Sequence, residues 1–302
     1  MGRGRALRLG MSAAAGGVLL GIVIADVAKA DDGRNVAETL RGADVALLVA
    51  AGAAQTWRYL LPGALLRILT ELRYTLSLQI STAAVAIGAL VPGAHLPGGG
   101  IAFRELRRRG IPRKRALAVS TALILVVPAA SMALLAGPAL LISGLASPLP
   151  GGWRLIIDIL GVAACFVAAA ILLVVAVGRR ANHAPASLAL GACGWVADGA
   201  CLWLTAQALH IHLDPATIPV AYIAAAAIIA IPAIPGGVGL VEAAVPFILA
   251  AGITTSYAEA ALVVLTWRVF SFWIPTIAGA GAYASLHHPF HLRTALGRTI
   301  VP

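Results

Sequence analysis

The sequence predicts an all-α polytopic membrane protein, with about eight hydrophobic helical segments in two four-element repeats, each repeat holding a Pro-Gly-Gly re-entrant hairpin. Three observations predict this class. Apolar runs of spanning length fill nearly all of the 302 residues, which are 60% hydrophobic and only 11% charged, with a mean hydropathy of +0.93. One of these runs is broken by Pro235-Gly236-Gly237-Val238-Gly239-Leu240-Val241-Glu242, a turn and a carboxylate inside lipid-grade sequence. A membrane core tolerates broken backbone only where protein or a water-filled cavity covers it, and an ionisable residue at that depth is a functional candidate. An earlier stretch, Pro97-Gly98-Gly99-Gly100, repeats the break.

Reading for apolar length places spans near 9–28, 42–62, 74–95, 116–143, 154–178, 186–209, 216–234 and 257–284. The first needs a decision. Arg3, Arg5 and Arg8 precede it, and Ala28-Lys29-Ala30 follows, so it reads as a signal peptide or as a retained span. The repeat requires it, and retention is the reading adopted. Aligning the two Pro-Gly-Gly units pairs the first span with the fifth, the second with the sixth, the third with the seventh and the fourth with the eighth. Residue for residue from each proline, Arg104 falls opposite Glu242. Repeat one then covers about 9–145 and repeat two about 150–286, within a single membrane domain spanning 1–302 and ending in a short tail, 287–302.

The net charge of +10 is carried by loops between spans, as the positive-inside bias produces. With no soluble basic face, nucleic acid is not an expected partner. If each Pro-Gly-Gly unit and the helix before it enter and leave on one side, the cytoplasmic face collects most of the arginines. These include Arg58, Arg67, Arg73 and the dense run from Arg104 to Arg115, and both termini are cytoplasmic. A full crossing by the third element would force that run outside. The hairpin arrangement leaves three crossings per repeat, so the repeats are inverted, which is a transporter architecture. A single-direction eight-span bundle is the alternative.

Glycines after a proline break leave a helix start with free backbone N–H groups, which favours anions such as phosphate. Gly98 and Gly99 with Gly100, and Gly236 with Gly237, each supply such a start; a close helix crossing explains them equally well. Glu242 lies seven residues beyond Pro235, roughly 10 Å along a helix, and Arg268 roughly 16 Å into the last span. Charges that deep need partners. Pairing Glu242 with Arg268 is the economical expectation, as a structural salt bridge or as a responsive gate. Asp198, within Gly194-Trp195-Val196-Ala197-Asp198, is a third buried carboxylate that can pair with Arg268 or accept hydrogen bonds from neighbouring helices. Arg104 opens the short basic helix Arg104-Glu105-Leu106-Arg107-Arg108-Arg109. It reads as an orientation signal, and also as a bidentate phosphate ligand.

Other chemistry finds little support. Cys165, Cys193 and Cys201 lie in apolar segments and give neither a disulfide framework nor zinc spacing. His210, His212, His287, His288 and His291 lack an accompanying carboxylate or thiolate cluster, so no metal is expected. No Walker loop, His-Glu-x-x-His or Gly-x-Ser-x-Gly occurs. No cofactor is called for, and the chain is not expected to be an enzyme.

The signature Pro235 to Glu242, the following Gly252, and Arg268 inside the next span resemble the lysylphosphatidylglycerol synthase transmembrane region family, the flippase-like membrane module of multiple peptide resistance factors. The resemblance covers most of the chain, including a weaker first copy. It implies translocation of an aminoacylated or other polar phospholipid between leaflets. Full-length members carry a cytoplasmic synthase domain after the membrane part; this chain stops at Pro302 and resembles the stand-alone members. The expectation is a translocase of a phospholipid or lipid-linked headgroup in the bacterial cytoplasmic membrane, with membrane lipids as partners. Its polar path would use Gly98, Gly99, Arg104, Pro235, Gly236, Gly237, Glu242, Arg268 and Asp198. The alternative is a non-transporting scaffold for a separate lipid- or glycan-modifying enzyme. A connected groove lined by Glu242, Arg104 and Asp198 favours the first, and tight buried pairs favour the second.

Overall fold

The computed structural model describes residues 34–91, 96–131, 183–213, 217–229, 234–251 and 256–287, with isolated positions between 17 and 25. The fifth expected span (154–178), most of the first (9–28) and the tail beyond His287 lie outside the described residues. So do Cys165, Gly252, His288 and His291.

Among the described residues every regular element is helical. In chain order these are α1 (Arg34–Arg41), α2 (Val45–Thr70), α3 (Tyr74–Leu90) and α4 (Leu96–Arg108). Then come α5 (Arg113–Ser131), α6 (Ala184–Ala208), α7 (Thr217–Ile229), α8 (Leu240–Ala251) and α9 (Tyr257–His287). Helices α5, α6 and α9 contain segments long and apolar enough to cross a membrane, whereas α3, α7 and α8 are apolar but shorter. At 1.5 Å per residue, α7 and α8 reach only about 20 Å, short of a hydrocarbon core of about 30 Å.

Helix α2 corrects the sequence reading. The expected span ended at 62, whereas Pro62 lies inside the helix and α2 continues to Thr70, where Glu71 adopts a left-handed conformation. Arg58 therefore stands halfway along a helix and not near its end. The start of α2 is capped by Asp44, whose side chain accepts from the Ala46 and Leu47 amides (2.8 and 3.2 Å). The Asp44 amide donates to the Ala208 carbonyl (2.8 Å), which ties the start of α2 to the end of α6 and makes the two antiparallel neighbours.

Prolines also shape α5 and α9. Each contains a five-residue π segment, Ala122–Val126 and Val269–Trp273, that ends two residues before a proline, Pro128 and Pro275. A proline lacks the N–H that closes the preceding turn, and local widening of the helix absorbs the misfit. Pro275 leaves the Ser271 carbonyl without its usual partner, and the Tyr59 hydroxyl donates to that carbonyl at 2.7 Å.

Helix α3 is the most closely packed rod. A Cβ built on Gly98 of α4 would lie 2.1 Å from the Ala84 carbonyl oxygen, and one on Gly279 of α9 would lie 2.2 Å from Ala86 Cβ. Small residues thus allow backbone approach on two sides, as membrane helices require in place of a hydrophobic driving force. Helix α4 doubles back along α3, and Arg115 at the head of α5 donates to the Leu69 carbonyl (3.1 Å) just before α3 begins. Outward-facing Val49, Trp57, Phe247 and Ile277 stay exposed, as expected of helices that are apolar all round and meet lipid.

Candidate functional site

The second Pro-Gly-Gly unit forms a short 3-10 turn, Pro235–Gly237, ahead of α8. Gly236 has φ +56°, and a Cβ there would meet Phe272 Cε2 at 2.2 Å and the Ala89 carbonyl oxygen at 3.1 Å. Only glycine satisfies both the left-handed backbone and the contact. Glu242 stands in the first turn of α8 and reaches back, Oε2 accepting from the Gly239 amide at 2.7 Å, the arrangement of half a capping box. The anion at this helix start is therefore the chain's own carboxylate, held where the aligned amides favour negative charge.

Arg268 completes the turn. Its Nε donates to Glu242 Oε1 at 2.6 Å and its Nη2 to the Gly236 carbonyl at 2.9 Å. The guanidinium carbon lies 4.3 Å from the centre of the Phe272 ring, a cation–π stack. The side chains of Arg268 and Glu242 are 3% and 1% exposed. This is a closed brace that pins the turn to α9.

A second mid-depth ion pair surrounds Asp198 on α6. Arg58 Nε lies 3.2 Å from Asp198 Oδ2, and the Tyr222 hydroxyl of α7 donates to the same oxygen. Trp267 Nε1 of α9 donates to Oδ1 at 3.1 Å. In the amide orientation that satisfies both partners, Gln55 donates to Oδ1 (2.8 Å) and accepts from Arg58 Nη1 (3.0 Å). Arg58 Nη1 also donates to the Tyr59 hydroxyl at 3.2 Å. The pair thus draws together α2, α6, α7 and α9. Beside it lies a cavity of about 190 Å³ walled by α2, α3, α5 and α6, with Arg58, Tyr59 and Trp195 among its lining.

A third cluster sits where α4 and α9 end. Glu105, 1% exposed, accepts from Arg108 (2.9 Å) and Arg109 (2.7 Å), and His287 Nε2 lies 3.6 Å away. Arg104 Nη2 approaches the Tyr283 hydroxyl (3.3 Å) and His287 Nε2 (3.1 Å).

The sequence that builds these clusters matches a known family pattern. The profile described as "Lysylphosphatidylglycerol synthase TM region" matches residues 11–279. The chain belongs to the lysylphosphatidylglycerol synthase transmembrane region family. It is a membrane protein of a family defined by a transmembrane region and not by a catalytic domain. No curated protein matches the chain.

Of the residues singled out from sequence, the structure brings Pro235, Gly236, Gly237, Glu242 and Arg268 into one assembly. Asp198 pairs with Arg58 and not with Arg268, yet the two assemblies touch through the consecutive residues Trp267 and Arg268. Arg104 stands apart at the far end of α9. Nineteen residues separate Arg268 from His287, roughly 29 Å of helix. Gly98 is buried at the α3–α4 crossing, and a Cβ at Gly99 would lie 3.9 Å from Ile124 Cγ1. Glu105, and not Arg104, is the buried ionisable residue that follows the first Pro-Gly-Gly stretch.

Sequence reasoning missed Gln55, Arg58, Tyr59, Glu105, Tyr222 and Trp267. The signal for three of them was present, since Gln55, Arg58 and Tyr59 stand at i, i+3 and i+4 and so share one helical face inside an apolar run. Among the described residues no group of three His, Cys, Asp or Glu could hold a metal ion.

Proposed function

We propose that this chain is a translocase that carries the headgroup of a phospholipid or lipid-linked polar molecule across the bacterial cytoplasmic membrane. The observation that carries the proposal is the meeting of two short-helix pairs. The chain turns back after α3 into α4 and after α7 into α8, and the glycine turn of the second pair abuts Ala89 at the end of α3. Read as re-entrant hairpins entering from opposite faces, the pairs are the core of two inverted repeats, and the matched π segments before Pro128 and Pro275 support that repeat. Half-helices that meet near the midplane beside charged residues are the usual substrate region of such folds.

In this reading the path runs past Gly98, Gly99 and the Pro235-Gly236-Gly237 turn. The mid-depth charges Asp198, Glu242 and Arg268 lie beside it. The basic end with Arg104 faces the cytoplasm by the positive-inside bias and meets anionic headgroups first. Acyl chains stay in the bilayer, so only the headgroup needs a polar route. No enzymatic step is proposed.

One observation favours a second reading. Glu242 and Arg268 are closed into a tight pair, as a scaffold for a separate lipid- or glycan-modifying enzyme would permit. Reconstitution separates the two. Purified protein in liposomes is assayed for movement of headgroup-labelled anionic and aminoacylated phospholipids against protein-free liposomes. Protein-dependent movement of either lipid supports the translocase. Folded, inserted protein that moves neither lipid but co-purifies with an enzyme supports the scaffold.

A further inference from the structure

The two mid-depth ion pairs are not equivalent. Arg268 is enclosed, with Glu242, the Gly236 carbonyl and the Phe272 ring occupying its guanidinium. The Arg58 side chain is 28% exposed and forms part of a cavity wall, whereas Asp198 behind it is 3% exposed. Among the described residues that line the cavity Arg58 alone is charged; the others are mainly aliphatic, Pro62, Leu65, Leu123 and Val127 among them. The other polar groups of the lining are committed. Tyr59 donates to Ser271, and Trp195 Nε1 donates to the Pro128 carbonyl at 3.0 Å. The Arg58 contacts to Asp198, Tyr59 and Gln55 use Nε and Nη1, so Nη2 takes no part in them.

Asp198 is also prepared to lose Arg58. Tyr222, Trp267 and Gln55 supply three neutral donors to its two oxygens, so the carboxylate stays hydrogen-bonded when the guanidinium swings away. Glu242 has no such reserve, with only the Gly239 amide besides Arg268.

We propose that this cavity is a binding site for the phosphodiester of an anionic phospholipid, and that Arg58 turns from Asp198 to hold it. The planar guanidinium matches phosphate oxygens two at a time. A cavity of about 190 Å³ falls below the size that encloses a drug-sized ligand. It takes one end of the lipid and leaves the chains in the bilayer. The proposal rests on the translocase reading for the role of the site, but binding is measurable without movement.

The test titrates short-chain phosphatidylglycerol, short-chain phosphatidylcholine and free glycerol phosphate into the full-length protein in uncharged detergent. Affinity is read by calorimetry. Two variants are compared after thermal unfolding confirms that they fold. Arg58→Gln removes the charge and keeps a donor toward Asp198. Gly194→Leu adds bulk to the cavity wall while keeping both charges of the ion pair, and a Cβ at Gly194 has only ordinary contacts, 3.7 Å to Leu61 and 3.9 Å to Arg58 Cγ. Phosphatidylglycerol is expected to bind more tightly than phosphatidylcholine, and both variants to weaken it about ten- to a hundredfold. Unchanged phosphatidylglycerol affinity in the folded variants would overturn the site. Equal binding of free glycerol phosphate would overturn the lipid as its occupant. If affinity falls as expected while wild type moves no lipid in liposomes, the site stands and the translocase falls. Movement with affinity untouched by Arg58→Gln gives the reverse.

Discussion

Replacing Arg268 with alanine tests whether the Glu242 pair is a brace. The substitution removes a 2.6 Å charge-assisted bond to Glu242, a 2.9 Å bond to the Gly236 carbonyl and the stack on Phe272. It leaves a carboxylate only 1% exposed with the Gly239 amide as its remaining partner. Breaking a buried pair from one side costs about 3–5 kcal/mol, most of it the uncompensated charge. Removing both charges avoids that cost. The double variant Glu242→Gln/Arg268→Met keeps an acceptor for Gly239 and an apolar side chain over Phe272, and is expected within about 2 kcal/mol of wild type. The single variants Glu242→Gln and Arg268→Met and their double form a cycle, read by denaturant unfolding in micelles followed by helix content, with a coupling of about 2–3 kcal/mol. A loss below about 1 kcal/mol for Arg268→Ala, or a double variant as unstable as the sum of the singles, refutes the brace, because a buried orphaned carboxylate permits neither.

Three other expectations follow from contacts. Gly236→Ala combines a left-handed backbone with an overlap on Phe272 and loses about 2–4 kcal/mol, while Gly100→Ala, with open space at its Cβ, is neutral or gains up to about 1 kcal/mol by the same unfolding measurement. Gly98→Ala drives a methyl into the Ala84 carbonyl and costs about 1–3 kcal/mol, visible as a lowered midpoint for thermal unfolding. Tyr59→Phe leaves the Ser271 carbonyl without the donor that Pro275 cannot supply. It lowers stability by about 1–3 kcal/mol, and hydrogen exchange is expected to rise around the π segment of α9.

What the sequence made legible were features whose chemistry is local. A proline followed by glycines inside an apolar run can only be a turn, and a carboxylate seven residues on can only be near that turn. Depth then made Arg268 its economical partner. Helix ends were harder. The rods are apolar on every side, so no polar face marks where one stops, and the expected span ended at Pro62, short of Thr70. In a packed membrane helix the freed backbone group finds other partners, and α2 runs on. That misplacement hid the second site, since it put Arg58 near the cytoplasmic end of its span and left Asp198 without its cation. The one-residue offset between Arg104 and Glu105 arose similarly. Counting from the proline gave Arg104 as the match to Glu242, but burial selected its neighbour, and helical phase relative to α9 is a tertiary property.

The arrangement of the two ion pairs bears on how a site at Arg58 would reach the hairpin turn. Asp198 is fixed by Tyr222 from α7 and by Trp267 from α9, while the next residue, Arg268, holds the turn that joins α7 to α8. The Tyr59 hydroxyl, beside Arg58, also carries the Ser271 carbonyl within the π segment that follows Arg268. Movement of the Arg58 guanidinium away from Asp198 therefore acts on both limbs that position the turn, one through Tyr222 and one through α9. A π segment is the part of a helix with the least regular hydrogen bonding, and it stands between the braced arginine and the α3 crossing at Gly279. The locked pair keeps the turn intact, while the exchangeable pair can change its setting. That division places the mobile charge at the cavity and the fixed charge at the glycines, the reverse of what proximity to the Pro-Gly-Gly motif suggests.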